Sequence, residues 1–329
     1  MRVIALEERY ATQRFLDGPG RRFRDGLASA GARFPGGGGR LLEQLGDIDD
    51  GRVSGMDVAG VDVQVLSLTA PGLEQVPAGE AVSLARETID YLAAALGRNP
   101  KRLAAFAALP TADPPAAADE LERAVRQHGF VGAMINGHCQ GRRLDDEFFW
   151  PILESAEALG VPIYLHPTPP PQQVVELLYA GNYSPLVTEA LSTWGWGWHI
   201  ETAIHILRLI LSGAFDRFPK LQFIVGHMGE VLPFMLPRLD NTLPMALTGL
   251  QRGLADYLRH NVHYTFSGFN WIPEFLEVML QVGVGRMMFS TDYPYQSMAS
   301  ATAFLDSVPV SPQDRERIAH SNAENLLHI

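Results

Sequence analysis

Eight short apolar runs recur along the chain, and amphipathic helical patterns separate most of them. A run that is apolar at nearly every position is typical of a strand in a parallel sheet that helices cover on both faces. Eight such units predict a closed (β/α)8 TIM barrel, and 329 residues with 47% hydrophobic side chains suffice for its core. The predicted strands are residues 3–7, 61–68, 103–109, 131–137, 162–166, 221–227, 262–268 and 287–292.

A doubly wound open sheet is the alternative architecture for this alternation of elements. Dinucleotide-binding sheets of that kind carry a G-x-G-x-x-G turn after the first strand, which this chain lacks. A Gly- and Arg-rich stretch, residues 10–55, follows instead, and its FPGGGG segment (34–39) predicts a flexible turn. We therefore expect one barrel domain over residues 1–329, with 10–55 as an insertion or lid loop after strand one.

The bulk composition argues against several classes of protein. A formal net charge of −11 without a concentrated basic stripe disfavours a nucleic-acid partner. No apolar run approaches the roughly 18 residues of a membrane span, and Glu7 and Glu8 interrupt any secretory signal. The single cysteine, Cys139, suits a reducing compartment, and we expect it to be buried and structural. These features predict a soluble cytoplasmic protein.

Four of the apolar runs end in a residue that could bind a metal or carry a proton. They are Glu7, His166, His227 and Asp292, on strands one, five, six and eight. Catalytic groups in barrels come from the C-terminal ends of several strands, so this fold places the four around one site. Desolvating such groups is costly unless they are paired or metal-bound, which favours a functional role.

Some of these residues also have a purely structural interpretation. Glu230, three residues after His227, could hydrogen-bond the imidazole or merely cap the next helix, and we favour the hydrogen bond. Asp292 could cap the last barrel helix. Other histidines are weaker candidates, including His199 and His205 on an apolar helix.

Three arginines are candidates for contact with an anionic group. Arg9 follows the first strand-end carboxylate by two residues and therefore shares its strand face. Arg52 lies at the start of a helix before strand two, and Arg238 follows strand six. A guanidinium suits bidentate carboxylate binding, although the last two could equally pair with Asp57 and Asp240 on the surface.

Several longer stretches resemble the decarboxylase branch of the amidohydrolase superfamily, which contains γ-resorcylate, 2,3-dihydroxybenzoate and 5-carboxyvanillate decarboxylases. The resemblance runs nearly end to end, and its long central stretch is highly specific. It implies a (β/α)8 barrel that holds one divalent metal ion, manganese or zinc. The matching stretches are ALEERYAT (5–12), DVAGVDVQVLSLTAPG (57–72), ETAIHILRLILSGAFDRFPKLQFIVGHMGE (201–230), FSTDYP (289–294) and SNAENLLHI (321–329).

The resemblance also assigns roles by position. Its metal ligands correspond to Glu7, His166 and Asp292. Its active-site pair corresponds to His227 and Glu230. The implied reaction is non-oxidative decarboxylation of a small hydroxylated aromatic acid, in which Asp292 protonates the ring carbon before carbon dioxide leaves.

The arginines complete the implied site. Arg52 resembles a contact of the substrate carboxylate. Arg238 resembles an arginine delivered across a subunit interface, which implies a homodimer or homotetramer. Arg9 departs from the family, because many members have E-E-H-F where this chain has E-E-R-Y, and arginine cannot ligate a metal. Its guanidinium could replace part of the metal's charge, or bind the substrate carboxylate above a three-ligand metal.

Two alternatives to decarboxylation stay open. The same ligands could activate water, which would make the chain a metal-dependent hydrolase of an ester, lactone or amide. Alternatively, Arg9 has disabled the metal site and the chain is a non-catalytic or metal-free homologue. No redox or organic cofactor is expected in any of these cases.

Overall fold

A computed structural model describes residues 1–29 and 37–329, and it contains every predicted strand. Neighbouring strands run parallel throughout. The third predicted strand is divided in two at Phe106. The strands are β1 (Ile4–Tyr10), β2 (Val63–Leu68), β3 (Leu103–Ala105), β4 (Ala107–Ala108), β5 (Ala133–Asn136), β6 (Ile163–His166), β7 (Phe223–Val225), β8 (Val262–Thr265) and β9 (Met287–Met288).

Hydrogen bonds connect these strands into the (β/α)8 barrel that the sequence predicts. One sheet holds β1 to β3 and the other holds β4 to β9, in chain order. At the first seam, Phe106 N donates to Leu66 O at 2.9 Å. At the second seam, Leu6 N donates to Phe289 O at 3.1 Å, and Leu6 forms a parallel bridge with Ser290.

Helices surround the strands, as the amphipathic patterns predict. Within residues 1–29 and 37–329, no helix combines the length and apolar character needed to cross a membrane. The helices are α1 (Gln13–Asp17), α2 (Arg21–Ser29), α3 (Gly37–Gly46), α4 (Asp50–Ala59), α5 (Ala78–Arg98), α6 (Pro114–His128), α7 (Trp150–Leu159), α8 (Gln172–Val174), α9 (Pro185–Ser192), α10 (Gly197–Leu211), α11 (Ala214–Arg217), α12 (Leu232–Thr242), α13 (Met245–Thr248), α14 (Leu254–His260), α15 (Ile272–Val282), α16 (Met298–Ser307), α17 (Pro312–Glu316) and α18 (Asn322–Leu327).

Side chains on the two faces of the strands form two separate apolar layers. Along β1, Ile4 and Leu6 belong to the layer inside the barrel, whereas Ala5 packs in the layer between strands and helices. Burial on both faces explains why the strands read as continuous apolar runs. Cys139 lies in the outer layer, which confirms its predicted burial.

The segment after β1 is more regular than the sequence predicts. Gly37 to Gly39 form the first turn of α3, so the prediction of a flexible turn is wrong for them, while residues 34–36 lie outside the described part of the chain. A Cβ on Gly38 would collide with the carbonyl oxygen of Leu27, so glycine is what lets α3 pack against α2. This close packing outweighs the low helix propensity of glycine. A lid role for residues 10–55 stays a prediction.

Candidate active site

A bulge in the first strand turns Glu7 into the barrel. Leu6 already points inward, so a regular pleat would direct the next side chain outward, among the helices. The pairing of β1 with β2 instead shifts register between Ala5 and Glu8, and Glu7 has a φ of 67°. The prediction that the strand ends at Glu7 is therefore wrong, because β1 continues to Tyr10.

The two carboxylate oxygens of Glu7 have different surroundings. Oε2 accepts hydrogen bonds from the hydroxyls of Tyr164 and Ser267. Oε1 lies 3.0 Å from Nη2 of Arg9 and 3.3 Å from Nε2 of His166. Protein hydroxyls thus anchor one oxygen, and the other faces a guanidinium and an imidazole.

The two ring nitrogens of His166, at the end of β6, face different partners. Its Nδ1 lies 3.0 Å from the amide oxygen of Asn136, which only accepts, so Nδ1 carries the proton. Burial lowers the pKa of His166 well below its usual value, and the charge of Arg9 lowers it further. Nε2 therefore presents a lone pair to Glu7 Oε1, another acceptor. Such a pair is stable when a cation binds both atoms, and it fits a metal ion.

The ligand atoms around this pair also suit a metal. Glu7, His166 and His227 each offer one atom, and these atoms lie within 4.8 Å of one another. The predicted ligand set has Asp292 in place of His227. Asp292 Oδ1 lies 3.7 Å from Nε of Arg9, so it borders the same space, and its ligand role stays a prediction.

Asp292 enters the site from the segment after β9. It does not cap α16, whose first turn is capped by Ser297. Burial and the charge of Glu7 raise the pKa of Asp292 well above its ordinary value, although Arg9 and His227 act in the opposite direction. A carboxyl group in this environment can hold a proton at neutral pH, which is what a general acid requires.

His227 and Glu230 form the hydrogen bond that the sequence predicts, with Nδ1 and Oε1 2.7 Å apart. Burial alone would lower the pKa of His227, but the carboxylates of Glu230 and Glu7 outweigh it and raise that pKa to about 9. Burial would raise the pKa of Glu230, yet the imidazoles of His227 and His199 outweigh it and lower that pKa.

His199, a weaker candidate on the sequence alone, lies against Glu230 in the structure. Its Nδ1 lies 2.5 Å from Glu230 Oε2, and its Nε2 lies 3.2 Å from the carbonyl oxygen of Trp194. Both partners are acceptors, so protein groups hold the ring of His199 at both of its nitrogens. One signal was available in the sequence: a helix that follows a barrel strand begins at the catalytic face, and His199 is the third residue of α10.

The main chain adopts left-handed conformations around the site. Non-glycine residues with positive φ are uncommon and cluster at functional sites. Gly226 is required for a related reason, because a Cβ there would lie 2.7 Å from Glu7 Oε2. The positive-φ residues in the strand-end segments of the site are Glu7, His227, Met228, Glu230, Val231, Ser267 and Asp292.

Two predicted substrate-binding arginines lie apart from these residues. Arg52 is completely buried, and it donates to the main-chain oxygens of Asp47 at 2.6 Å, Arg9 at 2.7 Å and Gln44 at 3.0 Å. Its guanidinium therefore supports the main chain of β1 from outside the barrel. Arg238 is exposed on α12. Within the described residues, neither forms the surface ion pair considered for it.

Trp198 provides an uncommitted donor beside the cluster. Its ring centroid lies 6.3 Å from that of His166. The indole Nε1 is buried, and it has no acceptor among the residues that the structure describes. Buried donors normally have a partner, so a bound molecule with an acceptor atom would fit here.

Comparison with known proteins finds a protein family that this chain matches and proteins of similar sequence. The amidohydrolase family model matches residues 38–329. The γ-resorcylate decarboxylase of Polaromonas sp. (strain JS666) is 37% identical over 99% of this chain and 98% of its own length.

Two solved structures share the fold over almost the whole chain. The dihydroxybenzoic acid decarboxylase of Polaromonas sp. JS666, with bound manganese and the inhibitor 2-nitroresorcinol, is 34% identical with a TM-score of 0.89, covering 99% of this chain and 97% of its own. The 5-carboxyvanillate decarboxylase of Novosphingobium aromaticivorans, with manganese and 4-hydroxy-3-methoxy-5-nitrobenzoic acid, is 34% identical with a TM-score of 0.90, covering 100% and 96%.

Proposed function

Because this chain belongs to the amidohydrolase family, as its sequence predicts, we propose that it is a non-oxidative decarboxylase of a hydroxylated aromatic carboxylic acid. The observation that carries the proposal is the carboxyl group of Asp292, which is 15% exposed, has a raised pKa and borders Arg9 beside Glu7 and His166. The full-length relative and both solved structures named above are decarboxylases of such acids.

One divalent metal ion, manganese or zinc, is part of this proposal. The facing acceptors Glu7 Oε1 and His166 Nε2 fit such an ion, and both solved neighbours hold manganese. Glu7, His166 and Asp292 would hold it, with His227 close by. When bound, the ion supplies a Lewis acid that orients the substrate oxygens and stabilises their negative charge.

Asp292 supplies the proton. It donates a proton to the ring carbon that bears the carboxylate, and that carbon becomes tetrahedral. The carbon–carbon bond then breaks, its electron pair returns to the ring, and carbon dioxide leaves. Asp292 ends the cycle as a carboxylate and regains a proton from solvent.

The surrounding residues position the substrate and balance charge. The guanidinium of Arg9, a permanent cation, faces the substrate carboxylate until that group leaves as carbon dioxide. The imidazoles of His227 and His199 stay paired with Glu230. The free indole N–H of Trp198 binds a ring substituent that accepts a hydrogen bond. We do not include Arg52 among these contacts, since its donors are directed at main-chain oxygens.

The exposed face of α12 supports an oligomer. Arg238 is exposed there together with Phe234, which is 69% exposed, and Met235. A nearby apolar surface of this kind is typical of a subunit interface. We propose a homodimer or homotetramer in which Arg238 approaches the neighbouring subunit's site, and a cytoplasmic location. Sedimentation of wild type and Arg238→Ala tests the assembly.

Turnover in D2O distinguishes decarboxylation from the rival hydrolysis. A panel of hydroxylated benzoates is incubated with the metal-loaded protein, and carbon dioxide and product are measured. The proposal expects carbon dioxide release and one deuterium on the carbon that lost the carboxylate. Cleavage of esters or lactones with solvent oxygen in the product, and no decarboxylation of any benzoate, would establish the hydrolase instead. Elemental analysis addresses the metal-free alternative.

A further inference from the structure

Arg9 and a metal ion at this site would share one oxygen atom. Glu7 Oε2 already accepts from two hydroxyls, so Oε1 is the oxygen available to an ion. Arg9 Nη2 lies 3.0 Å from Oε1, whereas Nε2 of His166 lies 3.3 Å away. The guanidinium therefore already occupies one side of the predicted ligand atom.

Arg9 is also held firmly in this position. Its Nη1 donates to Ser67 Oγ at 2.9 Å, and its main-chain N–H donates to Tyr293 O at 2.7 Å. Its Nε lies 3.7 Å from Asp292 Oδ1, and the side chain is 1% exposed. An arginine does not lose its charge in a protein. A fixed, permanent cation thus lies between two of the proposed metal ligands, Glu7 and Asp292.

We propose that Arg9 is an internal counter-charge that weakens the affinity of this site for its divalent ion. An ion bound to Glu7 Oε1 would lie near the guanidinium and be repelled by it. Arg9 also pairs with the carboxylate of Glu7 when no ion is bound, so burying this carboxylate does not depend on metal. The ion is therefore exchangeable. This inference rests on the proposed function, because it takes the site as metal-binding.

Two substitutions separate the charge of Arg9 from its shape. Arg9→Gln removes the charge but keeps a side chain that can hydrogen-bond Ser67. Arg9→Lys keeps the charge and removes the planar fork. Arg9→Leu, which offers no metal ligand, serves as a second neutralising variant if Arg9→Gln does not fold, and circular dichroism with thermal unfolding establishes the fold of each.

The affinity of each chain for Mn²⁺ is measured by calorimetric titration of the ion into the metal-free protein at pH 8, without substrate. The two positive charges of Mn²⁺ and the charge of the guanidinium, a few ångströms apart, repel by more than RT even when screened as in bulk water. We therefore expect Arg9→Gln to bind Mn²⁺ about tenfold more tightly or better. Arg9→Lys keeps the charge, so its affinity should stay within about threefold of wild type.

Three outcomes would overturn the proposal: Arg9→Gln binds Mn²⁺ no more tightly than wild type, Arg9→Lys binds as tightly as Arg9→Gln, or none of the chains binds the ion. Because the titration contains no substrate, its failure is distinct from failure of the proposed function. A wild-type chain that releases carbon dioxide stays a decarboxylase in each of these cases.

Discussion

Two clusters of buried polar groups lie together at the mouth of the barrel, and they differ in how completely their atoms are paired. Both contain glutamate and histidine, and their side chains are almost inaccessible to solvent except for that of Asp292, which is 15% exposed. The Glu7 cluster consists of Glu7, Arg9, His166 and Asp292, and the Glu230 cluster consists of Glu230, His199 and His227.

In the Glu230 cluster, both oxygens of the carboxylate are paired. Each oxygen of Glu230 accepts from one imidazole, at 2.5 and 2.7 Å. In the Glu7 cluster, by contrast, Glu7 Oε1 and His166 Nε2 face each other at 3.3 Å although both are acceptors. Fully paired groups hold one another in place, whereas facing acceptors need something that binds between them. We therefore assign the chemical steps to the Glu7 cluster, and we assign to the Glu230 cluster the role of orienting the histidine next to it.

The largest expected effect comes from Asp292→Asn. Asparagine keeps the shape of the side chain and tolerates the φ of 60°, but it has no acidic proton to donate. We expect carbon dioxide release to fall by about 10³-fold, within the usual contribution of a general acid, with little change in melting temperature. Steady-state kinetics and thermal unfolding measure the two effects. Turnover near the wild-type level would break the assignment of chemistry to the Glu7 cluster.

Glu230→Gln tests the supporting role of the second cluster. A glutamine accepts from only one of the two imidazoles and removes the charge that raises the pKa of His227 to about 9. We expect kcat to fall by about 10- to 100-fold, as for other groups that orient an active-site histidine, and KM to change little. NMR titration should show a lower pKa for His227. An unchanged pKa would mean that Glu230 does not control this imidazole.

His199→Gln should reduce turnover less than Glu230→Gln does, and it should raise the pKa of His227 rather than lower it. Glu230 keeps one imidazole partner in this variant and interacts with it alone, so the pKa of His227 should rise. We expect kcat to fall by about tenfold or less. The same NMR titration, run beside Glu230→Gln, provides the comparison. A pKa that falls in both variants would show that His199 does not compete for Glu230.

A buried histidine outside both clusters provides the smallest effect. Nε2 of His205 accepts from Leu144 N at 2.8 Å, and burial lowers the pKa of His205 to about 3. Its ordinary value is 6.5, so the unfolded chain binds the extra proton as pH falls through the window from 6.5 to 3. The free energy of unfolding should therefore fall with pH there, by up to about 1.4 kcal/mol per unit.

Urea unfolding at pH 7, 5.5 and 4.5 measures this fall in the free energy of unfolding for the wild type and for His205→Gln. The glutamine can still accept a hydrogen bond from Leu144. The stability of the variant should depend less on pH than that of wild type. Equal pH dependence in the two chains would show that folding does not lower the pKa of His205.

Much of this architecture follows from the sequence, because burial sets a pattern that is local to each element. Strands buried on both faces are apolar throughout, so all eight could be located, and with them the strand ends that carry His166, His227 and Asp292. The spacing of Glu230 from His227 likewise predicted their hydrogen bond, since both residues lie in one turn of chain.

The tertiary structure alone decided how the charged groups meet. The bulge that turns Glu7 inward, and the choice of partner for each of its oxygens, depend on Tyr164, Ser267 and Arg9. His199 reaches Glu230 from a helix 31 residues away in the chain. Contacts between distant elements leave no periodic trace in a sequence, and for that reason the position of Arg9 beside Glu7 Oε1 had to be seen in the folded chain.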